Sequence, residues 1–334
     1  MSDKPIWMVR AGKNAAFVDD FIEAGFVGIG FSQAGEVSSP IHRDQLAGQI
    51  AAATPGLSQG QVDNVTSQVK RFYEDLSVGD AVMTYDPNQR LYFLGEILSD
   101  VRNRDHELSR ARAVRWTKQV NRDALDASTK NVLGAILTLF LVRDDAARNI
   151  WQRATPVGQH QATVGAEVKP VADEANESLE GIEARANELI DDAIARLSWD
   201  QLQELFAELL EAMGYRAEVS DKGPDRGVDI FASPDGLGLQ EPRIFVEVKH
   251  RVGTRISSDQ IRSFIGGRQN GDRCLYVSTG GFTKEAKYEA ERSNIPITLI
   301  ALPKLRELVL EHYASLSPTG LALLPMKRIY WPIT

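Results

Sequence analysis

The stretch from residue 227 to 250, GVDIFASPDGLGLQEPRIFVEVKH, sets the strongest limit on what this chain can fold into. Two short apolar runs flank a Pro- and Gly-containing segment, the pattern of two strands and a loop. Side chains alternate across a strand. Ile244, Val246 and Val248 therefore face one way, and Phe245, Glu247 and Lys249 the other. Asp229, between Val228 and Ile230, opposes its apolar neighbours and is expected to end the preceding strand. Strands joined by the 233–242 loop would bring Asp229 beside Glu247. Two carboxylates at one point repel, and a cation resolves the repulsion. Ligation by oxygen alone suits Mg2+, which keeps several waters. Lys249 would then stand next to a metal-bound water, a hydroxide source for attack on a phosphodiester. An ordinary strand with an exposed Glu–Lys pair would leave the same short pattern. The surroundings favour a site: GPDRGVD places Gly223, Asp225 and Gly227 just before Asp229, and a basic helix follows.

The rest of the C-terminal half alternates helices and strands. Strands are expected near 216–219, 227–232, 243–249, 273–278 and 296–300, and helices near 257–269, 283–292 and 302–314. Before them come two amphipathic helices, SLEGIEARANELIDDAIARL and SWDQLQELFAELLEAMGY, the second with Ser198 as N-cap and Gly214 at its end. Such alternation predicts an α/β sheet with covered faces. In the front half, residues 5–10 read as a strand, AAFVDDFIEAGFVGIGF as a helix and a strand, and 43–75 as helical with Ser58 as an N-cap. DAVMTYDPNQRLYFLGEIL reads as a hairpin, and RARAVRWT and ILTLFLV as further strands. This predicts an α+β, partly closed barrel. Pro156 and Pro170 in a weakly periodic stretch mark a linker. The expected division is 1–147, a linker over 148–178, and 179–334, in keeping with a length of 334 residues.

A net charge of −8 argues against nucleic acid until its distribution is examined. Residues 167–192 hold nine acidic and two basic side chains, whereas 102–122 hold seven basic and two acidic, and 243–273 seven basic and three acidic. Basic stretches flanking an acidic connector make nucleic acid a serious candidate. The single cysteine, Cys274, sits in an apolar run and reads as a buried thiol; no internal disulfide or Cys/His zinc cluster can form. RAGKNAA lacks the spacing of a phosphate-binding loop, so no NTP is expected. There is no apolar run of membrane-spanning length and no signal-peptide pattern at the start, so a cytoplasmic protein without a membrane partner is expected.

Residues 198–314 resemble the Mrr-like catalytic domain of restriction endonucleases, in the PD-(D/E)xK nuclease superfamily. The features recur in order: a helix ending in LLEAMGY, then GPDRGVDIFA with Asp229, then FVEVKH with Glu247 and Lys249, then SSDQIRSFIGG with Gln260, then CLYVSTGGFTKEA. One departure is Gln203, where the family often carries Glu. The resemblance implies a mixed sheet flanked by helices, Mg2+-dependent DNA cleavage and double-stranded DNA as the partner. It implies metal ligation by Asp229, Glu247 and the Val248 carbonyl, a water oriented or activated by Lys249, and support from Gln260. Thr283 would present backbone N–H groups to a phosphate or cap a helix.

Residues 5–145 resemble the PUA-like fold, especially the EVE and YTH-type readers, on IWMVRAG, GFVGIGF, SVGDAVMTYDPNQRLYFLGEI, RAVRWT and LDASTKNVLGAILTLF. That resemblance implies nucleic-acid binding, with a modified base flipped into an aromatic pocket. Trp7, Phe31 and Trp116 are the stacking candidates, against core packing as the alternative for each. Ser128 and Asn131 are candidates for polar contacts and Arg110, Arg112 and Arg115 for phosphates. The function expected is a modification-dependent, type IV-like restriction endonuclease acting as a homodimer or higher oligomer, since one site cuts one strand. The alternatives are a defence or repair nuclease whose front domain senses RNA or another ligand, and a non-catalytic DNA-binding protein.

Overall fold

A computed structural model describes residues 4–104, 106–108, 110–135, 137–158, 179–220 and 228–329. The chain divides into two units, Met1–Asn176 and Glu177–Thr334. Gly223, Asp225, Gly227 and most of the expected linker lie outside the described residues.

The first unit is built on strands β1 (Ile6–Val9), β2 (Phe26–Ile29), β3 (Ala81–Asp86), β4 (Leu91–Ile97), β5 (Arg102–Asn103), β6 (Arg110–Asn121), β7 (Leu139–Val142) and β8 (Thr155–Pro156). They run in the order β2-β6-β4-β3-β1-β7, with β5 and β8 pairing β6. Among the described residues only β1 and β3 run parallel in this sheet. β1 is apolar throughout because both its faces are covered. Trp7 and Val9 enter one core with Phe21, Phe72 and Val82, and Ile6 and Met8 enter a second with Tyr92, Leu94 and Ile150. The sheet is open: among the described residues its end strands β2 and β7 do not pair. The mix of helices and strands is the one expected; no closed barrel forms among the described residues, and apolar clusters cover both faces of the sheet.

Helices α1 (Val18–Glu23), α2 (Arg43–Ala53), α3 (Gln59–Lys70), α4 (Ala127–Leu133) and α5 (Asp144–Arg153) complete this unit. The first is shorter than its apolar spacing suggests, because Ala15, at φ 55°, interrupts the helical path ahead of it. Ser58 caps α3 in a reciprocal box with Gln61. A π-turn, Arg71–Asp75, follows at once, closed by the Leu76 N–H donating to the Arg71 carbonyl at 2.9 Å. The pairing of β4 with β6 slips between Leu94 and Gly95. A Cβ at Gly95 would lie 2.6 Å from the Arg115 carbonyl oxygen, so the bulge needs glycine.

The second unit begins with α6 (Leu179–Ala195) and α7 (Trp199–Ala212), the latter capped by Ser198 and Gln201 in the same reciprocal way. Its sheet has the order β13-β12-β11-β10-β9, formed by β9 (Arg216–Val219), β10 (Ile230–Ser233), β11 (Arg243–Lys249), β12 (Asp272–Ser278) and β13 (Ile297–Ala301). β11, β12 and β13 are parallel, and β10 is antiparallel to both its neighbours. This is the mixed sheet expected. Ile244, Val246 and Val248 pack into one core with α7 and α10 (Leu302–His312). The opposite face carries Cys274, Tyr276 and Phe245 under α8 (Ser258–Ile265) and α9 (Lys284–Glu291). Burial pushes the Cys274 thiol up to about 11, as suits an inert core cysteine. No described helix is long and apolar enough to cross a membrane.

Candidate active site

Glu247 and Lys249 end β11, the central strand of the second sheet, on the face opposite Val246 and Val248. Asp229 lies one residue ahead of β10 rather than within a strand over 227–232. The reason it still reaches the site is the main chain. The Asp229 N–H donates to the Val246 carbonyl at 2.8 Å, and the Asp229 carbonyl accepts from Ser220 N–H at 2.9 Å. The register Ile230↔Val246, carried one residue further, sets Asp229 opposite Glu247. The Asp229 carboxylate then accepts from the Val248 N–H at 2.6 Å. It therefore sits against the backbone between the acid and the lysine. Lys249 Nζ is 2.6 Å from Glu247 Oε1. The structure thus brings Asp229, Glu247 and Lys249 together, with the two acids 9% and 8% exposed.

The electrostatics follow from that crowding. Burial raises the Glu247 carboxyl above its ordinary range, the bond and charge of Lys249 oppose this, and the charge of Asp229 adds to it. Tyr276, the β12 partner of Glu247, is 1% exposed. Its hydroxyl is held high by burial first and then by the charges of Glu247 and Asp229. Such a pocket penalises negative charge and rewards a cation.

Val248 serves through its backbone. Its side chain belongs to the opposite core. Its carbonyl accepts from the indole N–H of Trp199, the first residue of α7, at 3.0 Å. That occupies one lone pair of the expected metal-ligating oxygen and leaves the other. Among the described residues no three His, Cys, Asp or Glu side chains are grouped to hold a metal. A hard cation would rely on two carboxylates, a carbonyl and water, a donor set that fits Mg2+. Trp199 and Tyr276 escaped the sequence reading; a Trp directly after the Ser198 cap was the available signal for the first.

The supporting residues fall differently. The Gln260 side-chain oxygen accepts from Ser257 N–H at 3.0 Å and caps α8. Among the described residues it makes no hydrogen bond to Asp229, Glu247 or Lys249. Gln203 is buried on α7, one turn beyond Trp199. Thr283 is a helix cap, its hydroxyl accepting from Ala286 N–H at 3.1 Å. Of the basic side chains near the site, Arg262 pairs with Glu289 and Arg268 stacks on Phe245 and Phe264, whereas Arg251 is exposed.

In the first unit the expected phosphate contacts are corrected. Arg110 is buried and donates to the carbonyls of Gly30, Phe31 and Gly35. Arg112 is buried and donates to those of Phe72, Ser99 and Tyr73. Both guanidiniums are committed inward because β6 turns that face to the core. Arg115 is exposed and pairs with Glu96 at 3.2 Å. Trp116 packs on the first core and donates its indole N–H to the Phe21 carbonyl at 2.8 Å. Trp7 belongs to the same core, and half-buried Phe31, in a left-handed conformation at φ 56°, packs against it. All three rings lie in or against that one apolar core. Ser128 is exposed on α4, bonded to Asp126 at 3.0 Å, and Asn131 is half-buried on the same helix.

Comparison with known proteins gives the site its context. Residues 194–309 match the family model described as restriction endonuclease. Residues 7–139 match a domain of unknown function, DUF8426. A curated relative, the uncharacterized protein y4cE of Sinorhizobium fredii, is 28% identical over 98 residues, covering 28% of this chain and 25% of its own. The match thus spans about a quarter of that relative's length. Among solved structures, the MspJI restriction endonuclease in complex with a 27-mer oligonucleotide aligns with a TM-score of 0.33 at 14% identity, covering 81% of this chain and 69% of its own. The DNA modification-dependent restriction endonuclease AspBHI aligns with a TM-score of 0.33 at 10% identity, covering 96% and 84%.

Proposed function

We propose that this chain is a modification-dependent, type IV-like restriction endonuclease that hydrolyses DNA phosphodiester bonds with Mg2+. The observation that carries the reading is the convergence of Asp229, Glu247 and Lys249 on one buried strand end, inside the segment that matches the restriction endonuclease family. In this reading residues 1–147 are the reader, PUA-like in pattern, 148–178 the linker and 179–334 the nuclease. The assembly is a dimer or higher oligomer, so that two sites address two strands.

Asp229, Glu247 and the second lone pair of the Val248 carbonyl would hold the cation. The cation supplies charge stabilisation at the scissile phosphate and lowers the pKa of water. The protein does the rest. The Val248 N–H fixes the rotation of the Asp229 carboxylate, and Trp199 fixes the Val248 carbonyl on the other side of the same residue. Lys249, braced by Glu247, places a proton donor and positive charge where the attacking water meets the phosphate. Gln260 supports the site indirectly, by fixing the start of α8.

The test is cleavage by the intact protein, with Mg2+, of unmodified, methylated and glucosylated DNAs. Modified DNA should be cut in preference. Asp229→Ala, Glu247→Ala and Lys249→Ala should each lower the rate by about two to four orders of magnitude while DNA binding persists. Full activity of Lys249→Ala removes the lysine from the mechanism, and failure to cut any of these DNAs with any divalent cation overturns the nuclease reading.

A further inference from the structure

The first unit contains a cavity of about 680 Å3 that none of the roles above uses. That lies within the range of small-molecule sites, roughly 300–1,000 Å3. It opens beside the start of β1 and the end of β7. Pro5, Trp7, Phe140 and Leu141 supply its apolar surface. Trp7 is 8% exposed, so little of it reaches the opening. The π-turn supplies one wall through Arg71 and Asp75. Turns of this kind insert an extra residue into a helix and often stand at functional sites.

The charged groups divide into two sets. Lys4 donates to the Gly79 carbonyl, and the Asp80 carboxylate accepts from Ser77 N–H at 2.9 Å, so both are engaged by the cavity's own walls. Arg71, Arg143 and Asp75 also line the space. Among the described residues none of these three side chains has a hydrogen-bond or ion-pair partner. Two uncommitted guanidiniums beside an apolar floor suit a ligand with an anionic end and a flat apolar end. Arginine binds phosphate through paired N–H groups. A lone carboxylate suits an exocyclic amine or a sugar hydroxyl.

We propose that this cavity binds a nucleotide, with Arg71 and Arg143 on the phosphate, the base against Pro5 and Leu141, and Asp75 accepting from the base or sugar. The proposal rests on the reading of the first unit as a nucleic-acid reader and supplies the place where the nucleotide sits. The nucleotide is either free or a residue turned out of a DNA strand; the recognising chemistry is the same.

Calorimetry on the intact protein in EDTA tests this. The probes are deoxynucleoside 5′-monophosphates with and without a methylated base, and single- and double-stranded oligonucleotides carrying the same bases. Saturable binding is expected. Arg71→Gln and Arg143→Gln should each weaken it about ten- to hundredfold, since each removes charge-assisted bonds. Leu141→Trp should abolish it by filling the space. Neither arginine has a partner to lose, so both Gln variants should melt as the parent does, which keeps the test meaningful if Leu141→Trp is unstable. Loss of mononucleotide binding in the Gln variants identifies a free nucleotide as the ligand. Loss confined to oligonucleotides identifies a base turned out of a strand. Binding that survives both arginine substitutions, or absence of binding to every probe, overturns the proposal. If the Gln variants bind as tightly as the parent and still prefer modified DNA, the cavity fails and the reader stands; if the parent shows no preference, the reader itself fails.

Discussion

Glu247 meets opposed demands. It must be ionised to hold a cation, yet its surroundings disfavour the ion through burial first and the charge of Asp229 second. A carboxyl raised above its unfolded value binds its proton more tightly when folded. In the cation-free protein its contribution to stability is therefore present below the ordinary carboxylate pKa and lost as pH rises through the folded one. Glu247→Gln should then raise the melting temperature in EDTA at neutral pH, by about 2–4 °C for each kcal/mol relieved. The gain should vanish at low pH, where both proteins carry a neutral group. A thermal melt of both proteins across pH checks this, and a constant gain at every pH would count against it. Mg2+ should reverse the order at neutral pH. Asp229, Glu247 and Lys249 were legible because alternation along a strand exposes an acid among apolar residues. Trp199 and Tyr276 were not, because their contacts come from the β11–β12 register and the packing of α7. Arg110 and Arg112 misled for a related reason: alternation along β6 separates two faces without saying which one the core covers.

At the scale of elements, the turn after β12 is the tightest constraint near the site. A Cβ on Gly280 would run into the carbonyl oxygens of Thr254 and Arg251, and Gly281 takes a φ of 74°. This turn also carries Thr279, whose N–H donates to the Lys249 carbonyl at 3.1 Å and whose hydroxyl meets His250 Nδ1 at 3.0 Å. Gly280→Ala must push the 251–254 loop away from the end of β11. It should cost about 1–3 kcal/mol or more, read as a fall in melting temperature, with cleavage falling further than the melt alone accounts for. Unchanged melting and cleavage would mean the turn can yield. Helix caps were among the most legible elements, since Ser58 and Ser198 each precede a Gln three residues on. The ends of α1 and β10 were less so, because positive φ at Ala15 and the main-chain bonds of Asp229 are not written in residue type alone.

Across the whole molecule, the alternation of strands and helices was enough to anticipate an α/β sheet with covered faces in the second unit, whereas its mixed strand directions followed only from the family resemblance. The degree of closure of the first unit's sheet was less legible, because whether end strands meet depends on curvature and on what covers the faces. Each unit buries its own pair of apolar clusters. Fragments 1–158 and 179–334, expressed separately, should therefore each fold, with the second retaining metal-dependent nicking of DNA. Calorimetry and limited proteolysis would show this, and two unfolded fragments would refute it. The same self-sufficiency bears on descent. A segment that closes its own cores can be exchanged by recombination without repacking its neighbour. Chimeras that place a different binding segment ahead of Leu179 should therefore keep a working nuclease while acquiring a new choice of DNA.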